Sequence, residues 1–427
     1  MNQPNKETFS FAIDRQKEIY LEGVSGRRPI VPVHPQDLEA KAKTVMSAKA
    51  FAYMAGGAGS EATMRTNLDG FERWKIVPRM MRDVSLRDTS VELFGQKLPA
   101  PFLLAPIGVL DLAHEQGDLA VARAAAATGV PMIFSNQASV AMEKCAAAMG
   151  AAPRWFQLYY SKSNELVESL VRRAENCGCT AIVVTLDTTM LGWRLRDLDL
   201  AYLPFMEGRG IAQYVSDPVF QRLMEQSVFP GNTKRSITAD TIISVLNLMY
   251  HYPGGNFFQN LFSGKPAKAV RTFINIYSRP SLTWSDISFL KSITKLPVIL
   301  KGILHPEDAR RAVSEGADGI IVSNHGGRQV DGAIAAIEAL PGVVAAVEGR
   351  VPVLMDSGIR NGAHIFKALA LGARAVLLGR TYTYGLAIDG QRGVEAVINN
   401  LKADFELTMG LAGCKSVEEI SRDNLAT

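Results

Sequence analysis

Residues 298–328 read VILKGILHPEDARRAVSEGADGIIVSNHGGR. The stretch holds a short apolar run from Val298 to Lys301, a segment of helical periodicity from Pro306 to Gly316, and a second apolar run from Gly319 to Ser323. Two such runs joined by a helix that stops at glycine form the repeating unit of a parallel sheet wound with helices. The unit recurs in both directions. Upstream the runs are Pro101 to Ala105, Met132 to Ser135, Trp155 to Tyr159 and Ala181 to Leu186; downstream they are Val353 to Asp356 and Ala375 to Gly379. Further helices are expected over Gly117 to Thr128, Ser163 to Cys177 and Gly362 to Leu371. Eight runs predict an α/β fold, a closed TIM (β/α)8 barrel occupying residues 101–427.

Two segments do not fit the repeat. Residues 1–100 read as a helical leader with a short hairpin near Val91 to Leu98 that closes the barrel floor. Residues 195–282 form an insertion after the fourth run, far longer than a barrel loop, which places a lid over the C-terminal mouth. Inside it, Ile242, Ile243, Val245, Leu246, Leu248 and Met249 precede Tyr250, Tyr252, Phe257, Phe258 and Phe262. This apolar stretch is read as a helix packed on the barrel or on a neighbouring subunit, with membrane contact as the alternative. Pro253, Gly254 and Gly255 break it too early for a membrane span.

The chain has 427 residues, 47% of them hydrophobic and 21% charged, so it can bury a large core. A net charge of +4, with Lys and Arg scattered among acids, does not point to nucleic acid. Cys145, Cys177, Cys179 and Cys414 make no CxxC pair and no zinc spacing, so no metal site is expected and a reduced, cytoplasmic setting is. The first residues, including Asn2, Gln3, Asn5, Lys6 and Glu7, lack the basic and apolar regions of a secretory signal.

A barrel enzyme keeps its chemistry at the C-terminal strand ends. Those ends here carry Pro106, Ile107 and Gly108; Ser135; Gln157 and Tyr159; Thr185 and Asp187; Lys301; Ser323, Asn324 and His325; Asp356, Ser357 and Gly358; and Gly379 with Arg380. Packing alone accounts for any one of these, but not for polar or special residues after all eight runs. Asp356-Ser357-Gly358-Ile359-Arg360 precedes a helix and Gly379-Arg380 follows the last run, a pairing that predicts a phosphate cradle of backbone N–H groups. His325 can take a proton at neutral pH, and Arg328 can clamp a carboxylate through parallel hydrogen bonds. Arg194 supplies a second cation, Asp187 can orient His325, and Lys301 stands as a fixed cation beside a developing anion.

These residues lie in a set of separated motifs: Tyr53-Met54-Ala55-Gly56-Gly57, Phe156-Gln157-Leu158-Tyr159, Thr185-Leu186-Asp187-Thr188, Leu300-Lys301-Gly302, SNHGGRQ over 323–329, and Asp356 to Arg360. In this order they resemble the FMN-dependent L-2-hydroxy-acid oxidising family, across nearly the whole chain. The resemblance implies that His325 accepts a proton from the substrate and Asp187 orients it. It implies a carboxylate held by Arg328, Tyr53 and Arg194, with Tyr159 at the substrate hydroxyl. FMN would meet Gln157, Thr185, Ser135, Ser323 and the backbone of Pro106, Ile107 and Gly108, with Lys301 at its pyrimidine edge. Its phosphate would lie between Asp356 to Arg360 and Gly379 to Arg380.

Within the family, Gly192 to Asp197, Tyr214 to Phe220 and Gly108 are most similar to lactate 2-monooxygenases, which turn L-lactate and O2 into acetate, CO2 and water. Gln137 stands where relatives often carry a large apolar or aromatic residue. The alternatives are an oxidase releasing peroxide, a quinone-linked dehydrogenase at a membrane, and a flavin-binding barrel without turnover. The resemblance also implies a homo-oligomer, tetramer or octamer.

Overall fold

The computed structural model describes residues 10–228 and 238–427. The N-terminal residues read above for a signal, and the middle of the insertion, lie outside them. Each apolar run is a strand: β1 (Phe102–Leu104), β2 (Met132–Phe134), β3 (Arg154–Leu158), β4 (Ile182–Thr185), β5 (Val298–Ile303), β6 (Gly319–Val322), β7 (Val353–Met355) and β8 (Ala375–Leu378). They pair in parallel in chain order, and β8 closes on β1 with Leu378 opposite Leu104.

The runs are apolar throughout because both sheet faces are buried. Successive side chains alternate between the two. Leu103, Ile133, Trp155, Val183, Ile299, Ile321, Leu354 and Leu377 share one interior cluster, while neighbours such as Phe102, Leu104, Ile182, Val184, Ile320 and Val322 belong to the larger cluster under the helices. The interior cluster also contains Val91, Leu93 and Leu98 from the antiparallel pair Val91–Leu93 and Gln96–Leu98. Phe94 at that turn meets Trp155 edge-on at 5.6 Å, so the hairpin plugs the barrel floor.

A helix follows each strand. Gly117–Thr128, Asn164–Asn176, Pro306–Ser314 and Gly362–Ala370 lie within a residue or two of their expected spans. Asn164–Asn176 shows the usual cause: Ser163 caps its first turn, and Leu166, Val167, Leu170, Val171 and Ala174 form one buried stripe. After β8 comes the long helix Arg380–Leu411, kinked at Asp389 and Gly390.

The leader is not confined to the floor. Helix Phe11–Val24 docks on helix Arg380–Leu411, where Glu406 accepts from Ser10 and pairs with Arg87 at 2.9 Å. Helix Ala48–Ala55 carries Tyr53 to the mouth, and Asn67 of helix Ala62–Glu72 exchanges two side-chain hydrogen bonds with Asn324, at 2.8 and 2.7 Å. In the insertion, the short helices Leu195–Asp199, Ala212–Val215 and Pro218–Gln226 lead to helices Ala239–His251, Phe257–Ser263 and Lys265–Ile276. Only Leu248 and Met249 of helix Ala239–His251 are buried, so the expected packing on the barrel holds for its C-terminal end alone.

Candidate active site

The chain leaves β6 through Ser323 and Asn324 and then turns through two left-handed residues, His325 (φ 57°) and Gly326 (φ 64°). A non-glycine residue there is strained, and the surroundings hold it. The His325 N–H donates to Ser323 Oγ at 3.0 Å, and the Gly326 N–H donates to Ser357 Oγ at 3.0 Å. The turn brings His325 Nδ1 to 2.7 Å from Asp187 Oδ1. A carboxylate only accepts, so Nδ1 carries the proton and Nε2 keeps its lone pair. Burial pushes the imidazole below its ordinary value, against the pull of Asp187. The ring is therefore a neutral base at pH 7.

Asp187 is buried, which would raise its carboxyl, but His325 and Lys301 hold it down at about 2. Lys301 reaches this group because β5 is irregular between Lys301 and Ile303. Gly302 sits there at φ 109°, and a Cβ would lie 2.9 Å from that of Asp187, so only glycine fits. The Lys301 ammonium donates to Ser323 Oγ at 2.8 Å and lies 3.1 Å from Asp356 and 3.9 Å from Asp187. Burial disfavours its charge, and the two carboxylates more than offset that.

Across the cavity stand the cations. Arg328 lies over the Tyr53 ring at 5.0 Å and Arg194 over the same ring at 5.9 Å. Arg328 donates to the carbonyls of Tyr53 and Gly56, at 2.6 and 2.8 Å. Burial and neighbouring Arg194 press its guanidinium down to about 9. Asp197 offsets part of the charge of Arg328 and Arg194, and the two guanidinium groups that line the cavity together make a receptor for an anion.

Tyr53, Tyr159, Arg194, His325 and Arg328 all line one cavity of about 490 Å³, together with Pro106, Ile107, Gly108, Thr185, Lys301, Asp356 to Arg360, Gly379 and Arg380. Asp187, Ser135, Gln157 and Ser323 do not line it but lie directly behind. The Ser135 hydroxyl accepts from the Gln137 N–H, and the Gln157 amide carbonyl accepts from the Asn136 N–H.

The donors fit FMN. Gln157 Nε2 is buried without a partner, an orphan that a flavin ring oxygen or nitrogen would satisfy. Ser357 and Gly358 turn at φ 75° and 93°, and helix Arg380–Leu411 starts at the cavity with no side chain capping its first N–H groups. A Cβ on Gly379 would meet nothing nearer than Ile107 Cδ1 at 3.8 Å, which leaves a phosphate-sized approach to that backbone.

Two positions at the mouth have close partners of their own. The Asp356 carboxylate is turned to Lys301 and accepts from Ser357 Oγ at 2.8 Å, so its side chain neutralises the lysine while its segment still lines the cavity. A Cβ on Gly108 would lie 3.1 Å from that of Gln137, so the absent methyl lets this side chain pack close to the Gly108 backbone.

Several residues escaped the sequence reading. Thr188 Oγ1 stands 3.0 Å from Asp187 and 3.2 Å from His325, and the motif quoted for Asp187 already contained it. Gln329 donates to the carbonyls of Asp187 and Met190 and accepts from Arg194, tying the loops after β4 and β6 together. From the insertion, Leu203, Phe205, Phe273, Ile274 and Tyr277 complete the cavity wall. No local pattern singles these out.

A neutral histidine base, a cation pair for a carboxylate and a cradle for a phosphorylated flavin define a barrel oxidoreductase of small anionic substrates. The chain matches the FMN-dependent dehydrogenase family over residues 42–427. It is 40% identical over 401 residues to an L-lactate oxidase of Lysinibacillus sphaericus, covering 94% of each chain. It is 42% identical over 409 residues to the FMN-dependent alpha-hydroxy acid dehydrogenase qulF of Penicillium citrinum, covering 96% of this chain and 94% of that one. A solved mandelate oxidase with (S)-4-hydroxymandelic acid superposes with a TM-score of 0.76 at 38% identity, over 92% of this chain and 98% of that one. The chain thus belongs to the FMN-dependent 2-hydroxy-acid oxidising family, and its cofactor is FMN.

Proposed function

We propose that the protein oxidises a small L-2-hydroxy acid, L-lactate in the first place, and that with O2 it yields acetate, CO2 and water. The observation that carries the reading is the His325 imidazole, neutral and fixed by Asp187, sharing a cavity with Arg328, Arg194 and Tyr53. In this reading Arg328 and Arg194 hold the carboxylate, and the Tyr159 hydroxyl, which burial keeps protonated, meets the substrate hydroxyl. His325 Nε2 takes up the proton, and Asp187 stabilises the imidazolium that results. FMN, when bound, accepts the two electrons that leave the α-carbon. Lys301 offers positive charge next to that acceptor.

The lid supports the finer assignment. Phe205, Phe273, Ile274 and Tyr277 wall the cavity, which favours retention of the keto acid beside reduced oxygen until decarboxylation is complete. Product analysis with L-lactate under air is the test: acetate and CO2 are expected to exceed pyruvate and peroxide. Stoichiometric peroxide makes the protein an oxidase, a second reading favoured by Gln137 packing close to Gly108. Absence of flavin bleaching by L-lactate without oxygen would reject turnover of this substrate altogether. The expected homo-oligomer and reducing compartment remain part of this reading, the latter supported by four free cysteines.

A further inference from the structure

A polar side chain buried at a cavity wall normally has a hydrogen-bonding partner, because leaving it without one costs stability. Gln137 lacks one. It is 7% exposed and lines the cavity shared by Tyr159, Arg194 and His325. Its backbone is fixed on both sides: the N–H donates to Ser135 Oγ at 3.1 Å, and the carbonyl accepts from the Val109 N–H at 2.9 Å. Among the described residues nothing hydrogen-bonds to its carboxamide. We propose that this amide selects the substrate side chain, so that the site prefers L-2-hydroxy acids with an uncharged hydroxyl on C3 to those with an apolar group of the same size. The inference rests on the oxidation proposed above and narrows its substrate class.

The packing around Gln137 leaves the amide at the cavity. Oε1 lies 3.6 Å from where a Cβ on Gly108 would stand, so the carboxamide runs along that backbone. On the other side comes Gly210 of the insertion, at φ 69°, where a Cβ would meet the Gln137 carbonyl at 3.1 Å and Val109 at 2.7 Å. The insertion thus packs directly behind Gln137 while the residue still lines the cavity.

The surroundings decide which group pairs with it. An amide both donates and accepts, and so does a hydroxyl, so the two can meet in either orientation. The cations of the lining have other work: Arg194 and Arg328 face the carboxylate, Arg360 and Arg380 the phosphate, and Lys301 lies between Asp187 and Asp356. Lys162 is exposed. A second carboxylate on the substrate would therefore be buried beside Gln137 without a cation of its own. An apolar side chain would bury the amide unpaired, and the methyl of L-lactate is too short to make the bond.

Anaerobic flavin reduction by matched substrates tests this in the FMN-loaded, full-length protein. L-Glycerate and L-2-hydroxybutyrate differ by a hydroxyl in place of a methyl on C3. The second-order rate constant for reduction should favour L-glycerate by about tenfold or more. Gln137→Met keeps the length and loses the amide, and should cancel that preference through apparent affinity more than through the limiting rate, with flavin spectrum and melting temperature retained. Equal rates in the unmodified protein, or faster reduction by L-2-hydroxybutyrate, overturn the proposal. So does a preference that Gln137→Met leaves unchanged. Those results, with the flavin still bleached by L-lactate, leave the oxidation itself standing. Failure of every L-2-hydroxy acid to bleach the flavin rejects the oxidation and this selectivity together.

Discussion

As the proposed base, His325 has to be neutral, correctly oriented and next to a bound anion, and separate neighbours meet those demands. Burial keeps the ring unprotonated, Asp187 fixes its tautomer, and Arg328 and Arg194 wait across the cavity. His325→Gln should leave FMN bound, since the cradle is untouched, and should slow anaerobic flavin reduction by about 10²–10⁴-fold. In the unmodified enzyme the proposed base can accept a proton only when it is itself unprotonated. Its pKa lies below 6.5, so kcat/KM should stay level through neutrality and fall on acidification only below that value. A fall beginning at pH 7 or above would assign the base elsewhere. Arg328→Met removes a charged hydrogen-bonding partner of about 1.5–3 kcal/mol. Stopped-flow titration should show substrate affinity weakened tenfold or more, and an unaltered apparent affinity would place the carboxylate elsewhere.

At the scale of elements, helix Lys265–Ile276 and the loop of Gly358 give separate tests. The helix presents buried Phe273 and half-exposed Ile274 to the cavity. Ile274→Ala should leave the melting temperature nearly unchanged while raising the share of pyruvate and peroxide among the products, because a looser lid lets pyruvate escape sooner. Helix Gly362–Ala370 holds His364, stacked on Phe71 at 4.2 Å, with its Nδ1–H donating to the Gly358 carbonyl at 3.2 Å. Burial pushes this histidine down from 6.5 to about 4. Between those values the unfolded chain binds a proton that the folded one does not, so stability declines as pH drops from 6.5 toward 4, by about 3 kcal/mol in all. Urea denaturation across that range should show a smaller decline in His364→Gln.

For the molecule as a whole, what could be read in advance follows the range of the interactions. The eight strands were visible because burial on both faces makes runs such as Gly319–Val322 wholly apolar. The loop residues Asp187, His325 and Arg328 were visible because a packed core has no use for them. The pairing of Asn67 with Asn324 was not, since it joins residues 257 positions apart. The ion pair of Asp356 with Lys301, the packing of Gln137 on Gly108 and the exposure of Ile242 depend equally on what the fold sets opposite each residue. Closure of the ring has a further consequence, in the order of synthesis. Strand β1 gains its second neighbour only when β8 exists, and the pair Lys75–Ile76 finds its partner only in Leu425–Ala426. At about 5–20 residues per second, the nascent chain leaves the ribosome with an unpaired sheet edge for tens of seconds. That interval is when chaperones matter most to this protein, and slower growth at lower temperature should favour its recovery in soluble form.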